Sequence, residues 1–135
     1  MVHFEANGAP VARLIGFDAK EIADGHAVIT LAAGRQHANP IGTLHGGSLC
    51  DIADAAMGMA LASTLAPDKS FTMIELKTNF YHRVCEARLR AEGRLVQRGN
   101  TIGYIECEIM DEGGRVIAKA SSTRMALRGE RARER

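Results

Sequence analysis

Apolar and polar residues alternate with a period of two through most of the second half of the chain, a texture that predicts strands. From Ala87 to Gln97, Leu89, Ala91, Gly93 and Leu95 oppose Arg88, Arg90, Glu92 and Arg94. Phe71 to Tyr81 is rich in β-branched and aromatic residues. It sets Met73, Glu75, Lys77 and Asn79 on one face and Ile74, Leu76, Thr78 and Phe80 on the other. Thr101 to Met110 follows the turn Arg98-Gly99-Asn100, and Val116 to Leu127 follows the turn Asp111-Glu112-Gly113-Gly114. Four strands joined by short turns predict an antiparallel meander. Upstream, Phe17 to Ala23 and His26 to Ala33 flank Asp24-Gly25, a hairpin signal. Ala9 to Ile15 reads as a short helix closed by Gly16, and Gly34 to Thr43 reads as loop by composition.

Gly46 to about Leu65 breaks this texture. It is rich in Ala and Met and runs until Pro67 stops it. At 100° per residue Leu49, Ile52, Met57, Met59 and Leu61 point in widely different directions, so the helix is apolar nearly all round and belongs in an interior. One long buried helix with five or six strands predicts an α+β fold in which a sheet wraps around the helix. A single sheet covers one side of such a helix, and a second copy of the chain is expected on the other.

The length of 135 residues, 46% of them apolar, suits one domain with a proper core. That domain is expected over 1–128, with 129–135 a charged, solvated and disordered tail. A formal charge of +1 argues against a protein built to hold nucleic acid or a membrane surface. Cys50, Cys85 and Cys107 are odd in number and unrelated in spacing. They read as reduced thiols, with no metal site. Met1-Val2-His3-Phe4-Glu5 lacks the basic start and apolar core of a secretion signal, and no apolar run is long enough to span a bilayer. A cytoplasmic location is the expectation.

Chemistry concentrates between Asn39 and Asp54. A Pro- and Gly-rich turn runs into His45-Gly46-Gly47, and the long helix follows at once. An open helix N-terminus offers unpaired N–H groups and partial positive charge, and absent side chains at Gly46 and Gly47 let a ligand oxygen approach them. Two turns on, Asp54 stands among apolar neighbours, where a carboxylate is costly unless paired or used. Such a pair of features can hold an oxyanion and drive attack on an acyl carbon. The structural alternatives are equally concrete: Asp54 can cap a loop or pair with an Arg, Gly46 and Gly47 can serve close packing, and His45 can simply fix the turn. Asp51, about 60° away on the helix, competes with Asp54, and periodicity does not choose between them.

Asn39-x-x-Gly-Thr-Leu-His45-Gly46-Gly47, with six residues before Asp54, resembles the acyl-CoA thioesterases of the hotdog fold, in particular the branch similar to the phenylacetate-pathway enzymes. Glu75-Leu-Lys-Thr-Asn-Phe80, Arg98-Gly99-Asn100-Thr101 and Gly114-Arg-Val-Ile-Ala118 extend the resemblance over most of His26 to Leu127. It implies that the N–H of Gly46 polarises the thioester carbonyl. It also implies that Asp54, from the neighbouring subunit, acts as general base or nucleophile, that Asn39 positions water or carbonyl, and that His45 supports the turn. Gly47 and Phe80 would line the substrate, and Arg98, Gly99, Asn100 and Thr101 would form the coenzyme-contacting turn. Relatives often carry a Ser or Thr on the strand after the helix. That slot falls at Met73, with Thr72 next to it, so either a bulge restores Thr72 or the hydroxyl is dispensed with.

Coenzyme A enters as part of the substrate, and no cofactor is implied. Its phosphates call for cations, and Arg98, Arg124, Arg83 and Arg128 are the candidates. Ala55, Gly58 and Ala62 leave room for an aromatic or medium alkyl acyl group, or for close contact between helices in a dimer. A homodimer, itself paired into a tetramer, is expected. Two other functions fit the same fold. One is an enoyl-CoA hydratase or dehydratase pairing a loop His37 with Asp51, and the other is an acyl-CoA-binding module without catalysis.

Overall fold

The computed structural model describes residues 9–128, so the tail 129–135 lies outside them. A short helix α1 (Pro10–Ile15) leads into a hairpin of β1 (Phe17–Ala23) and β2 (His26–Ala33). A 3-10 turn (Arg35–His37) precedes the long helix α2 (Gly46–Ala62), and β3 (Lys69–Phe80), β4 (Ala87–Arg98), β5 (Ile102–Met110) and β6 (Val116–Arg128) follow. At the β1–β2 turn Asp24 and Gly25 take φ of 52° and 80°, the double left-handed turn that matches strand twist.

All six strands form one antiparallel sheet in the order β1-β2-β4-β5-β6-β3. The expected meander of β3 to β6 is corrected here. Only β4, β5 and β6 are successive neighbours; β3 crosses to the far edge beside β6, and β4 joins β2. Residues 81–86, between β3 and β4, are no tight turn and allow this crossing.

The inner face of the sheet wraps α2. Ile29, Ile52, Met57, Leu89, Ile105, Ile109 and Ile117 are fully buried at this contact, each adding about 1.5–3 kcal/mol of burial. β4 lies so near the helix that a Cβ on Gly93 would stand 2.6 Å from the Ala56 carbonyl oxygen. The helix ends three residues short of Leu65. Ser63 Oγ bonds to the Ala60 carbonyl at 2.7 Å and Thr64 Oγ1 to that of Leu61 at 2.8 Å, closing the last turn before Pro67 is reached. This is the hotdog arrangement, a curved sheet around one central helix.

Two features of α2 and β3 position the site. Along α2, Gly47, Cys50, Asp51, Asp54 and Ala55 are only half-buried, so one stripe escapes the sheet. On the edge strand β3, Ile74 is an extra residue: Met73 pairs with Arg124 and Glu75 with Thr123. The bulge reverses the faces read from alternation. Met73 shares the inner face with Leu76, Thr78 and Phe80, because their partners Arg124, Ser122, Ala120 and Ala118 form one inward row.

Candidate active site

His45 caps α2, its Nδ1 accepting the N–H of Gly47 at 2.8 Å, while its carbonyl accepts the N–H of Ser48 at 3.0 Å. Gly46 is the first helical residue, and its N–H has no partner among the described residues. It lies in the wall of a cleft of about 390 Å³, with Asn39, Leu49, Phe80, His82 and Arg83 around it. That volume suits a small-molecule site. The Phe80 ring lies against Gly46 so closely that a Cβ there would come within 3.2 Å of it. Gly47, by contrast, has its N–H committed to His45 and holds the cap rather than a ligand.

Asn39 is spent on its own loop. Its Oδ1 accepts from Ile41 at 2.9 Å and from Thr43 at 3.1 Å, and its Nδ2 donates to Thr43 Oγ1 at 2.8 Å. It thus fixes the turn that delivers the chain to Gly46, with one Nδ2 hydrogen left over. His37 is no loop base either. It is 6% exposed, its Nδ1 accepts the Gly34 N–H at 3.1 Å, and its Nε2 donates to the Ile15 carbonyl at 2.6 Å. Both ring nitrogens serve the fold, which removes the base from the hydratase reading with Asp51.

Asp54 has a half-exposed side chain (47%) that meets a buried guanidinium: Arg124 Nη2 donates to its Oδ1 at 2.7 Å. Arg124 is 2% exposed, so the expectation that it meets coenzyme phosphates is corrected. It faces inward on β6 and reaches the helix, not solvent. Burial above all, and then the negative charge of Asp54, push the Asp51 carboxyl above the usual carboxylate range, against a smaller opposing effect of His45. Met73 occupies the inner face while Thr72 pairs with Met125 on the opposite one. The bulge falls after both residues and does not bring the Thr72 hydroxyl across.

The turn Arg98-Gly99-Asn100-Thr101 lies at the other end of α2. Arg98 Nη1 donates to the Thr64 carbonyl at 2.5 Å, placing a cation at the helix C-terminus. Gly99 N–H donates to Ile102, and the carbonyls of Asn100 and Thr101 accept from Arg128 and Ala126. One chain therefore does not gather the expected site. With 1.5 Å rise per residue, Asp54 stands about 12 Å along the axis from Gly46, and the 98–101 turn about 25 Å. Tyr81 and His82, which also line the cleft, went unnoticed in the sequence because the 81–86 connection carries no periodic signal.

No group of three His, Cys, Asp or Glu among the described residues could hold a metal ion, and no described helix is long and apolar enough to cross a membrane. Burial pushes the Cys107 thiol up to about 12, so it offers no nucleophile at neutral pH. A second concavity, of about 380 Å³, opens on the outer face of the sheet among Lys77, Glu92, Arg94, Glu108 and Lys119. It contains none of the residues that the sequence nominates for catalysis or for coenzyme binding.

Comparison with known proteins gives the same picture. The chain is 30% identical over 104 residues to a presumed esterase of Saccharolobus solfataricus, an alignment covering 77% of this chain and 74% of that protein. A presumed thioesterase of Ralstonia eutropha, titled as related to phenylacetic acid degradation, superposes with a TM-score of 0.79 at 26% identity, over 89% of this chain and 95% of the other. The PaaI protein of the E. coli phenylacetic acid degradation operon superposes with a TM-score of 0.84 at 22% identity, over 91% and 88% of the two chains. The thioesterase superfamily itself matches residues 41–118, the stretch that runs from the Gly46 turn into β6. The chain belongs to the thioesterase superfamily, has the hotdog fold, and is a thioester hydrolase.

Proposed function

We propose that this hydrolase cleaves acyl-coenzyme A, releasing a free acid and coenzyme A, at sites shared between two copies of the chain. The observation that carries the proposal is the separation on one helix of an unpartnered Gly46 N–H and a half-exposed Asp54. Reacting groups must approach within about 3–3.5 Å, and about 12 Å of helix lies between these two. A second α2 running antiparallel to the first brings both Asp54 and the 98–101 turn toward the Gly46 of its mate. The surface for that contact is the uncovered stripe of α2 beside edge strand β3, where Met73, Ile74, Phe80 and Tyr81 are 42–56% exposed. Pairing of such dimers into a tetramer extends the same proposal.

In this reading the Gly46 N–H draws the thioester carbonyl into the cleft against Phe80. Asp54 of the other copy takes a proton from water as the water oxygen attacks the carbonyl carbon. The tetrahedral oxyanion forms on the Gly46 N–H, aided by the positive end of α2. It then collapses with cleavage of the carbon–sulfur bond, and the departing thiolate receives the proton. Leu44, Leu49, Phe80 and Val84 give the cleft apolar walls suited to an aromatic or a short- to medium-chain acyl group.

The test is thiol release across aromatic, short and medium acyl-CoA substrates by wild type, Asp54→Asn and Asp51→Asn. Asn retains an oxygen for Arg124, so the fold is spared. Asp54→Asn should lose a factor of about 100 to 10,000 in turnover while still binding coenzyme A, and Asp51→Asn should keep most of it. Full turnover in Asp54→Asn would move the base elsewhere. Saturable binding with no release by wild type would favour a non-catalytic module.

A further inference from the structure

Arg124 is a buried charge that the chemistry above leaves unused. β6 turns Ala118, Ala120, Ser122, Arg124 and Ala126 toward α2, so a guanidinium interrupts a row of small residues where Asp54 and Gly58 face it. Four contacts fix the group. Nη2 donates to Asp54 Oδ1 at 2.7 Å and to the Asp54 carbonyl at 3.3 Å. Nε donates to Ser122 Oγ at 3.1 Å, and Ser122 in turn donates to the Glu75 carbonyl at 2.6 Å, beside the bulge. The guanidinium carbon lies 5.5 Å from the centre of the Phe71 ring. Nη1 runs past Gly58, where a Cβ would stand only 2.9 Å away.

A charge this deep costs desolvation, and an apolar residue of similar size commonly serves a core as well or better. What the guanidinium supplies instead is a fixed point for a carboxylate that is otherwise half in solvent. The terminal torsion of an aspartate is broad, and an error of about 1 Å in a reacting group can cost about 100-fold in rate.

We propose that Arg124 is a positioning residue for Asp54: by holding Oδ1 it sets Oδ2 as the oxygen presented to the attacking water. The inference rests on Asp54 as the base, and the experiment separates the two. kcat and KM are measured on the best acyl-CoA of the panel for Arg124→Gln, Arg124→Lys and Gly58→Ala, each alone and combined with Asp54→Asn. Gly58→Ala leaves every charge in place and improves helix propensity, yet its methyl group needs the space Nη1 occupies and pushes the fork off Asp54.

kcat should fall about 10- to 100-fold in Arg124→Gln and about tenfold in Gly58→Ala with KM unchanged, and Arg124→Lys should recover part of the loss. The crowding and the displaced charge also lower the thermal midpoint of Gly58→Ala, so its kcat is read well below that midpoint, where the variant is fully folded. In the Asp54→Asn background neither substitution should lower the residual rate further, since groups acting as one unit are not additive. Wild-type kcat in Arg124→Gln and Gly58→Ala, or losses that add in full to that of Asp54→Asn, overturn the proposal. Should Arg124→Gln fail to fold, Gly58→Ala decides at temperatures where it is folded: kcat lowered with KM unchanged supports it, and kcat kept overturns it. Activity abolished by Asp54→Asn but indifferent to Arg124 removes only the positioning role. Activity that survives Asp54→Asn removes the base assignment, and the positioning role with it.

Discussion

His37 illustrates how a single ring can look catalytic in a sequence and be structural in the fold. Gly34 N–H must donate and the Ile15 carbonyl must accept, so the imidazole is the neutral tautomer with its hydrogen on Nε2. The ring ties α1 to the loop that carries Asn39, and its own carbonyl holds the His45 N–H at 2.8 Å. His37→Ala takes the hydrogen-bond partner from two part-buried backbone groups. The expected cost is about 1–3 kcal/mol, read from urea unfolding, with acyl-CoA turnover largely kept at temperatures where the variant is folded. A hydratase would lose its chemistry instead. Asp54 and Gly46 were legible at this scale because the motif binds their types to a spacing. Arg124 was legible only as a cation: its inward position on β6 follows from alternation with Ala118, Ala120 and Ser122, but nothing in the spacing says which helix residue it meets.

Elements were readable in proportion to how strictly they alternate. β4 keeps Leu89, Ala91 and Gly93 buried as its pattern required. β3 does not keep its faces, because one inserted residue, Ile74, inverts everything before it relative to everything after. Alternation cannot show an insertion when both neighbours, Met73 and Glu75, fit a strand equally well. The pairing of β2 with β4 was hidden for a different reason, since it depends on where the 81–86 connection carries the chain. That pairing is reinforced by charge: Glu92 on β4 contacts Arg94, Arg90 and, across the strands, His26 at 3.3 Å. Its hydrogen bond from Arg94 first, and those from Arg90 and His26 after it, hold the Glu92 carboxyl down at about 2 against an ordinary 4.5, burial acting the other way. The folded chain therefore binds this proton less readily than the unfolded chain. The stabilisation is complete above 4.5 and is lost as pH falls toward about 2. Glu92→Gln should lower the urea midpoint at neutral pH, and the gap to wild type should close across that acidic window. A gap independent of pH would assign the effect to packing.

For the whole molecule the decisive question is whether one chain contains a complete site. The half-exposed stripe of α2, the apolar edge of β3 and the distances from Gly46 to Asp54 and to the 98–101 turn all call for a mate. Complementation tests this directly. Gly46→Pro removes one N–H and little else: Pro is well accepted at the first helical position, and His45 already has the extended backbone, φ −66° and ψ 129°, that a residue before Pro requires. The exposed Phe80 ring has room to yield. Gly46→Pro and Asp54→Asn should each be nearly inactive alone. After the two are unfolded and refolded together at equal amounts, half the dimers pair one with the other. Each mixed dimer then holds one site with both groups intact and one with neither, so about a quarter of wild-type turnover should return if the site is shared across a two-fold axis. A site built within one chain regains nothing, because every chain in the mixture lacks one of its own two groups.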